Sequence, residues 1–121
     1  MWYKKVYFVS GIDTDAGKSY AVGYLARKMI SEGVGVVTQK FIQTGCGEAF
    51  DGVSEDIVTH RKIMGIVLLP EDLDHTTCPV CFSYPASPDL ASKIDGRNID
   101  FAKIEESTRK LSGKYDVVLI E

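Results

Sequence analysis

The residues of this chain best suited to chemistry sit in one short stretch, Gly11-Ile12-Asp13-Thr14-Asp15-Ala16-Gly17-Lys18-Ser19. A bend rich in Gly, Asp and Thr that ends in Gly-Lys-Ser can cradle a polyphosphate. The N–H groups of the bend and of a following first helical turn all converge on one point. The Lys18 ammonium then suits the outer phosphates, and the Ser19 hydroxyl suits a Mg2+ ion. Asp13, Thr14, Asp15, Ala16, Gly17, Lys18, Ser19 and Tyr20 are therefore the expected nucleotide-binding residues. Five residues separate the first Gly from Gly-Lys-Ser, with Ile12 among them, whereas the usual phosphate loop has four. The alternative is an ordinary tight strand-to-helix turn with a capping Ser and a solvated Lys.

A phosphate loop needs a strand before it and a helix after it. Val6-Tyr7-Phe8-Val9 is a continuous β-rich apolar run, the pattern of a strand buried on both faces. Val22, Leu25, Ala26 and Met29 then recur at helical spacing, and Gly33 is a natural stop. Val34, Val36 and Val37 predict a second strand leading to Thr38-Gln39-Lys40, followed by a polar loop over Gln43 to Glu48. A short helix is expected around Asp56 to Met64, and a short strand over Val80 to Ser83. Ser87 can cap a helix from Pro88 to about Ile94. Asp100 can cap another, with Phe101, Ile104, Thr108 and Leu111 as its buried stripe and Gly113 as its exit. Val117-Val118-Leu119-Ile120 is a fully apolar strand ending at Glu121. Strands alternating with helices imply an α/β fold: a mostly parallel sheet with helices on both faces, of the P-loop NTPase type.

Parallel strands deliver their C-terminal ends to one sheet edge, where open α/β sheets bind ligands. The glycine-rich loop, Lys40 and Glu121 all belong to that edge. Glu121 has the placement of the acidic residue that faces Mg2+ in nucleotide sites, whereas Asp116 starts its strand and suits a turn or cap. Two lysines and a metal at one site suit attack of an anion on a γ-phosphate, since the two anions otherwise repel each other. A solvated loop lysine is the alternative for Lys40. Residues 1–121 read as a single domain, and it is expected to continue past Glu121, because one wall of the crevice would otherwise be missing.

Composition narrows the classes. The chain has 121 residues, 45% hydrophobic and 26% charged, as ordinary globular proteins do. Its 17 acidic and 14 basic residues give a net charge of −3, with no general attraction to nucleic acid or anionic membrane. No apolar stretch approaches the ~20 residues of a membrane span. Met1 to Lys5 leads directly into the first strand without a signal-peptide pattern, so a cytoplasmic location is expected. His75, Cys78 and Cys81 have a zinc-like spacing but no second ligand pair, and Cys46 and His60 stand apart. The three cysteines fit a reducing compartment better than a disulfide framework, and Cys78 and Cys81 read as small buried thiols rather than a metal or redox pair.

Five blocks in order resemble the dethiobiotin synthetases of biotin biosynthesis. They are Val9 to Ser19 with its extra loop residue, Gln39-Lys40-Phe41-Ile42-Gln43-Thr44-Gly45, Ser54-Glu55-Asp56, Pro85 to Ala91, and Tyr115 to Glu121. Phe41 stands where that family usually has Pro, and Asp89 where it usually has His; both bear on the shape of a substrate pocket. The resemblance implies joining of CO2 to 7,8-diaminononanoate with ATP, through a carbamate and a carbamic–phosphoric anhydride, to give dethiobiotin. It implies Lys18, Lys40 and Thr14 as catalytic, and Ser19, Asp56 and Glu121 as Mg2+ ligands. Thr14, Lys40, Thr44 and Ser87 would contact the diamine or carbamate. Helix capping remains an alternative for Asp56 and can coexist with substrate contact at Ser87. The implied partners are small molecules and a second copy of the chain, without nucleic acid or membrane. Two other readings share the glycine-rich loop. An amidase-type synthetase of cobalamin biosynthesis needs a further amidotransferase domain. Dimerising partition and cell-division-site ATPases open the loop with Lys-Gly-Gly, where this chain has Ser10-Gly11-Ile12.

Overall fold

The computed structural model describes residues 5–11, 15–45, 53–83 and 85–121. In chain order the elements are β1 (Lys5–Phe8), α1 (Asp15–Ser31), β2 (Val36–Gln39), β3 (Ile42–Gln43) and α2 (Glu55–Met64). They continue with α3 (Pro70–Leu73), β4 (Val80–Cys81), α4 (Pro88–Asp95), α5 (Phe101–Lys114) and β5 (Val117–Ile120). Among the described residues, β1, β5 and β2 form a parallel sheet in that order, and β3 pairs with β4 in a second, two-stranded parallel sheet. Lys5 and Val36 both lie opposite Val117, so the last strand of the chain is the middle strand of the sheet.

The side-chain period of two along β5 divides the core. Val117 and Leu119 join Val22, Ala26 and Met29 of α1, Val36 and Met64 on one face. Val118 and Ile120 join Val37 and Leu111 of α5 on the other. Helices thus cover both faces of β5 and β2. The same is not true of β1. Tyr7 and Val9 pack toward α1, but Val6 is 40% and Phe8 68% exposed, against the expectation of a strand buried on both sides. Among the described residues, α5 lies over β5, and β1 meets little on that face beyond the edge of the Phe41 ring.

Caps set most of the helix limits where expected. Ser87 Oγ accepts from the Leu90 N–H and Asp100 Oδ1 from the Lys103 N–H, at 3.4 and 3.0 Å. At the far end of α1, Gly33 takes the left-handed φ of +82° that favours glycine. Two stripe residues are corrected: Leu25 and Phe101 are exposed. Phe101 opens a helix of 14 residues, about 21 Å long, lying over strands of about 13 Å, so its first turn overhangs. The exit also comes later than Gly113, at Tyr115, whose N–H donates to the Leu111 carbonyl.

Two contacts hold α2 in place. A Cβ on Gly23 of α1 would lie 2.9 Å from Ile63 Cβ, so the two helices meet where α1 has no side chain. Beneath α2, the buried Arg61 guanidinium donates to both Asp72 oxygens at 2.9 and 2.8 Å, and to Thr38 Oγ1 at 2.7 Å. Asp72 also accepts from the Thr77 hydroxyl and the Leu69 N–H. This forked pair ties β2, α2 and α3 together without leaving either charge unpartnered.

Gly23→Ala is expected to destabilise the protein by about 1–3 kcal/mol in urea unfolding, as overpacking does. Asp72→Ala, which strands the buried guanidinium, is expected to cost about 3–5 kcal/mol.

Candidate functional site

The C-terminal ends of β2 and β5, the first turn of α1 and the first turn of α2 meet at one edge of the sheet. Backbone hydrogen bonds prolong the ladder into the residues that matter. The Val9 N–H donates to the Ile120 carbonyl at 2.8 Å, and the Glu121 N–H to the Gln39 carbonyl at 2.9 Å. Lys40 is held through its N–H on the Thr77 carbonyl, also at 2.8 Å. Asp56 reaches the same edge because Ser54 starts α2. Ser54 Oγ accepts from the Ile57 N–H at 3.3 Å and donates to Gln43 Oε1 at 2.7 Å. The cap of α2 is thus Ser54, which leaves the Asp56 carboxylate available to the crevice.

Five side chains converge there. Ser19 Oγ donates to Glu121 Oε2 at 3.0 Å, and Lys40 Nζ lies 3.4 Å from the same oxygen. Lys40 also pairs with Asp56 Oδ2. The other carboxylate oxygen, Glu121 Oε1, is 2.7 Å from His60 Nε2. Only 3% of the Glu121 side chain is exposed, so the carboxylate depends on these partners. Lys18 follows in α1, and its stem runs past Gly11: a Cβ on that glycine would lie 3.5 Å from Lys18 Cγ. Tyr20, Thr44 and Ser87, together with Ser19, Lys40 and Asp56, line an open cleft of about 820 Å3.

The remaining expected residues fall otherwise. Asp15 and Ala16 begin α1, so the helix starts two residues before Gly17. Asp13 and Thr14 lie outside the described residues. Asp116 serves as a turn residue, its carboxylate accepting from the Gly35 N–H at 3.2 Å. Cys78 is buried, and burial pushes its thiol up to about 11. Cys81 is disulfide-bonded, which corrects its reading as a small buried thiol.

Electrostatics separate the two carboxylates. Burial works to raise Glu121, but hydrogen bonds from His60 and with Asp56, and the Lys40 charge, outweigh it and bring it down to about 2. Asp56 goes the other way: burial raises it, Lys40 opposes, and the neighbouring Glu121 adds to the rise. For Lys40, burial favours the neutral amine. Its hydrogen bond to Asp56 and the charges of both carboxylates win, and its pKa is raised. The ammonium is thereby kept charged at the crevice.

Among the described residues, no group of three or more His, Cys, Asp or Glu side chains is arranged to hold a metal by itself. Ser19, Asp56 and Glu121 instead offer one hydroxyl and two carboxylates. Such a hard oxygen set fits Mg2+, which takes one or two carboxylates and completes its shell with phosphate oxygens and water. Sequence reasoning missed His60, which it placed apart from any site. The available signal was its i+4 spacing from Asp56, which puts both on one face of α2.

A family model described as an AAA domain matches residues 5–121. The chain is 52% identical over 117 residues to an ATP-dependent dethiobiotin synthetase of Pasteurella multocida, covering 97% of this chain and 53% of that protein. It is 51% identical to the Haemophilus influenzae protein of the same name, covering 97% of this chain and 59% of that one. The corresponding figures for the Chlorobaculum tepidum synthetase are 52%, 97% and 47%. The chain thus spans about half the length of the curated relatives it matches. No helix of the described residues is long and apolar enough to cross a membrane.

Proposed function

The chain belongs to the AAA-domain family that matches it over residues 5–121, and from that premise we propose that it is the nucleotide-binding part of an ATP-dependent dethiobiotin synthetase. The observation that carries the reading is the meeting of Ser19, Lys40 and Asp56 on and beside the Glu121 carboxylate, at the mouth of a cleft lined by Thr44 and Ser87. The relatives' names supply the reaction; the residue types supply reasons for it.

One amine of 7,8-diaminononanoate takes up CO2 to give a carbamate. Its oxygen attacks the γ-phosphorus of ATP and releases ADP, leaving a carbamic–phosphoric anhydride. The second amine then attacks the carbonyl carbon and expels phosphate, closing the cyclic urea. In this scheme Lys18 and the N–H groups opening α1 hold the phosphate tail. Lys40 faces carbamate and phosphoryl group together and offsets their repulsion in a site of low dielectric. Ser19, Asp56 and Glu121 would hold Mg2+, which would supply charge neutralisation to the reacting phosphate groups. Thr14, Thr44 and Ser87 contact the diamine or its carbamate, and Asp13 to Tyr20 contact the nucleotide. A second copy of the chain is proposed to complete the substrate site, in a cytoplasmic enzyme without nucleic-acid or membrane partners.

ADP release by the full-length protein is expected to require both the diamine and bicarbonate. Release indifferent to the diamine would overturn the synthetase reading and favour a switch ATPase. Lys18→Ala is expected to abolish turnover together with tight nucleotide binding. Lys40→Met is expected to lower kcat by about 10²- to 10³-fold, the scale of losing one charge-stabilising donor, with nucleotide affinity retained.

A further inference from the structure

A buried polar chain runs from α3 to the crevice and ends on Glu121. Arg61 Nη1, which can only donate, lies 2.7 Å from Thr38 Oγ1. That hydroxyl therefore accepts from the guanidinium, and it also shares a 2.7 Å hydrogen bond with His60 Nδ1. Glu121 Oε1 belongs to a carboxylate and can only accept, so its 2.7 Å contact with His60 Nε2 is donated by the ring N–H. Thr38 and His60 are 0% exposed and Arg61 1%, so water does not compete for any link. The far end of the chain is fixed by Asp72, which holds the guanidinium through both oxygens.

We infer that His60 is a positioning residue for Glu121, presenting Oε2 to the crevice by holding Oε1 from behind. Ser19 and Lys40 both address Oε2, so the carboxylate has one working oxygen and one anchored oxygen. A carboxylate on the last residue of a strand has free rotamers unless something fixes it. Here the fixing group comes from α2, the same helix that carries Asp56, so the two carboxylates are set relative to each other by one rigid element. Outer partners of this kind commonly change metal affinity about 10- to 100-fold when removed. The inference rests on the reading of Glu121 as a Mg2+ ligand, and its test keeps the two apart.

Two variants of similar polarity separate positioning from mere packing. His60→Gln can put an amide N–H near the Nε2 position and keep the bond to Glu121. His60→Asn can keep the hydrogen bond with Thr38 but is too short to reach the carboxylate. The readout is Mn2+ affinity of the full-length protein with ATP bound, followed by electron paramagnetic resonance, alongside metal-free ATP affinity. His60→Asn is expected to weaken Mn2+ by about 10-fold or more, His60→Gln by no more than about threefold, and metal-free ATP binding is expected to be unchanged in both. In a Glu121→Gln background, His60→Asn is expected to add no further loss. Wild-type Mn2+ affinity in His60→Asn, with Glu121→Gln impaired, would overturn the role of His60 alone. An unimpaired Glu121→Gln would overturn the ligand reading and this inference with it.

Discussion

A carboxylate buried at the end of a central strand is tolerable only if donors replace the water it has lost. Glu121 receives three: the Ser19 hydroxyl, the Lys40 ammonium and the His60 ring. Each comes from a different element, so the carboxylate acts as a knot where α1, β2 and α2 are tied to β5. Removing any donor leaves charge exposed to a medium that solvates it poorly. The same demand explains why Lys40 stays charged despite its burial. Lys40 and Glu121 each supply what the other lacks.

The architecture that permits this knot is simple. A parallel sheet gathers the residues that follow its strands at one edge, and the middle position of β5 puts Glu121 between the ends of β1 and β2. What the sheet alone does not do is bring α2 within reach. That depends on the missing side chain at Gly23, which lets Ile63 settle against α1, and on Arg61, which anchors α2 to β2 from below. Apolar approach and polar anchoring act on opposite sides of one helix. Together they fix the distance between Asp56 and Ser19 more tightly than either would alone.

Much of this was legible in the residues. The apolar runs at Val36–Val37 and Val117–Ile120, and the caps at Ser87 and Asp100, are local signals, and the elements form where those signals lie. The edge that gathers Lys40, Ser19 and Glu121 followed from parallel topology. Non-local features escaped. Nothing in the run Val6 to Val9 says that α5 will cover only its neighbours, so the bare face of β1 could not be read from periodicity. The short β3 and α3 carry too few residues to leave a pattern. His60 escaped because a histidine on an amphipathic helix is informative only once its two ring partners, 22 and 61 residues away in the chain, are known.

The two departures from the synthetase pattern can now be placed physically. Phe41 follows Lys40, but strand-like alternation sends it away from the cleft that Lys40 and Ile42 line. It packs with Val37 and Leu111 on the α5 side and meets the exposed Phe8 ring edge-to-face at 5.5 Å. A proline there would lose that contact, so the substitution trades backbone stiffness after Lys40 for packing beneath it. Asp89 sits in the first turn of α4 with 83% of its side chain exposed, 3.4 Å from Lys93 one turn on. An acidic residue there favours the helix N-terminus that Ser87 caps. Phe41 and Asp89 therefore bear on the segments that carry Lys40 and Ser87, the first through packing and the second through its charge at the start of α4.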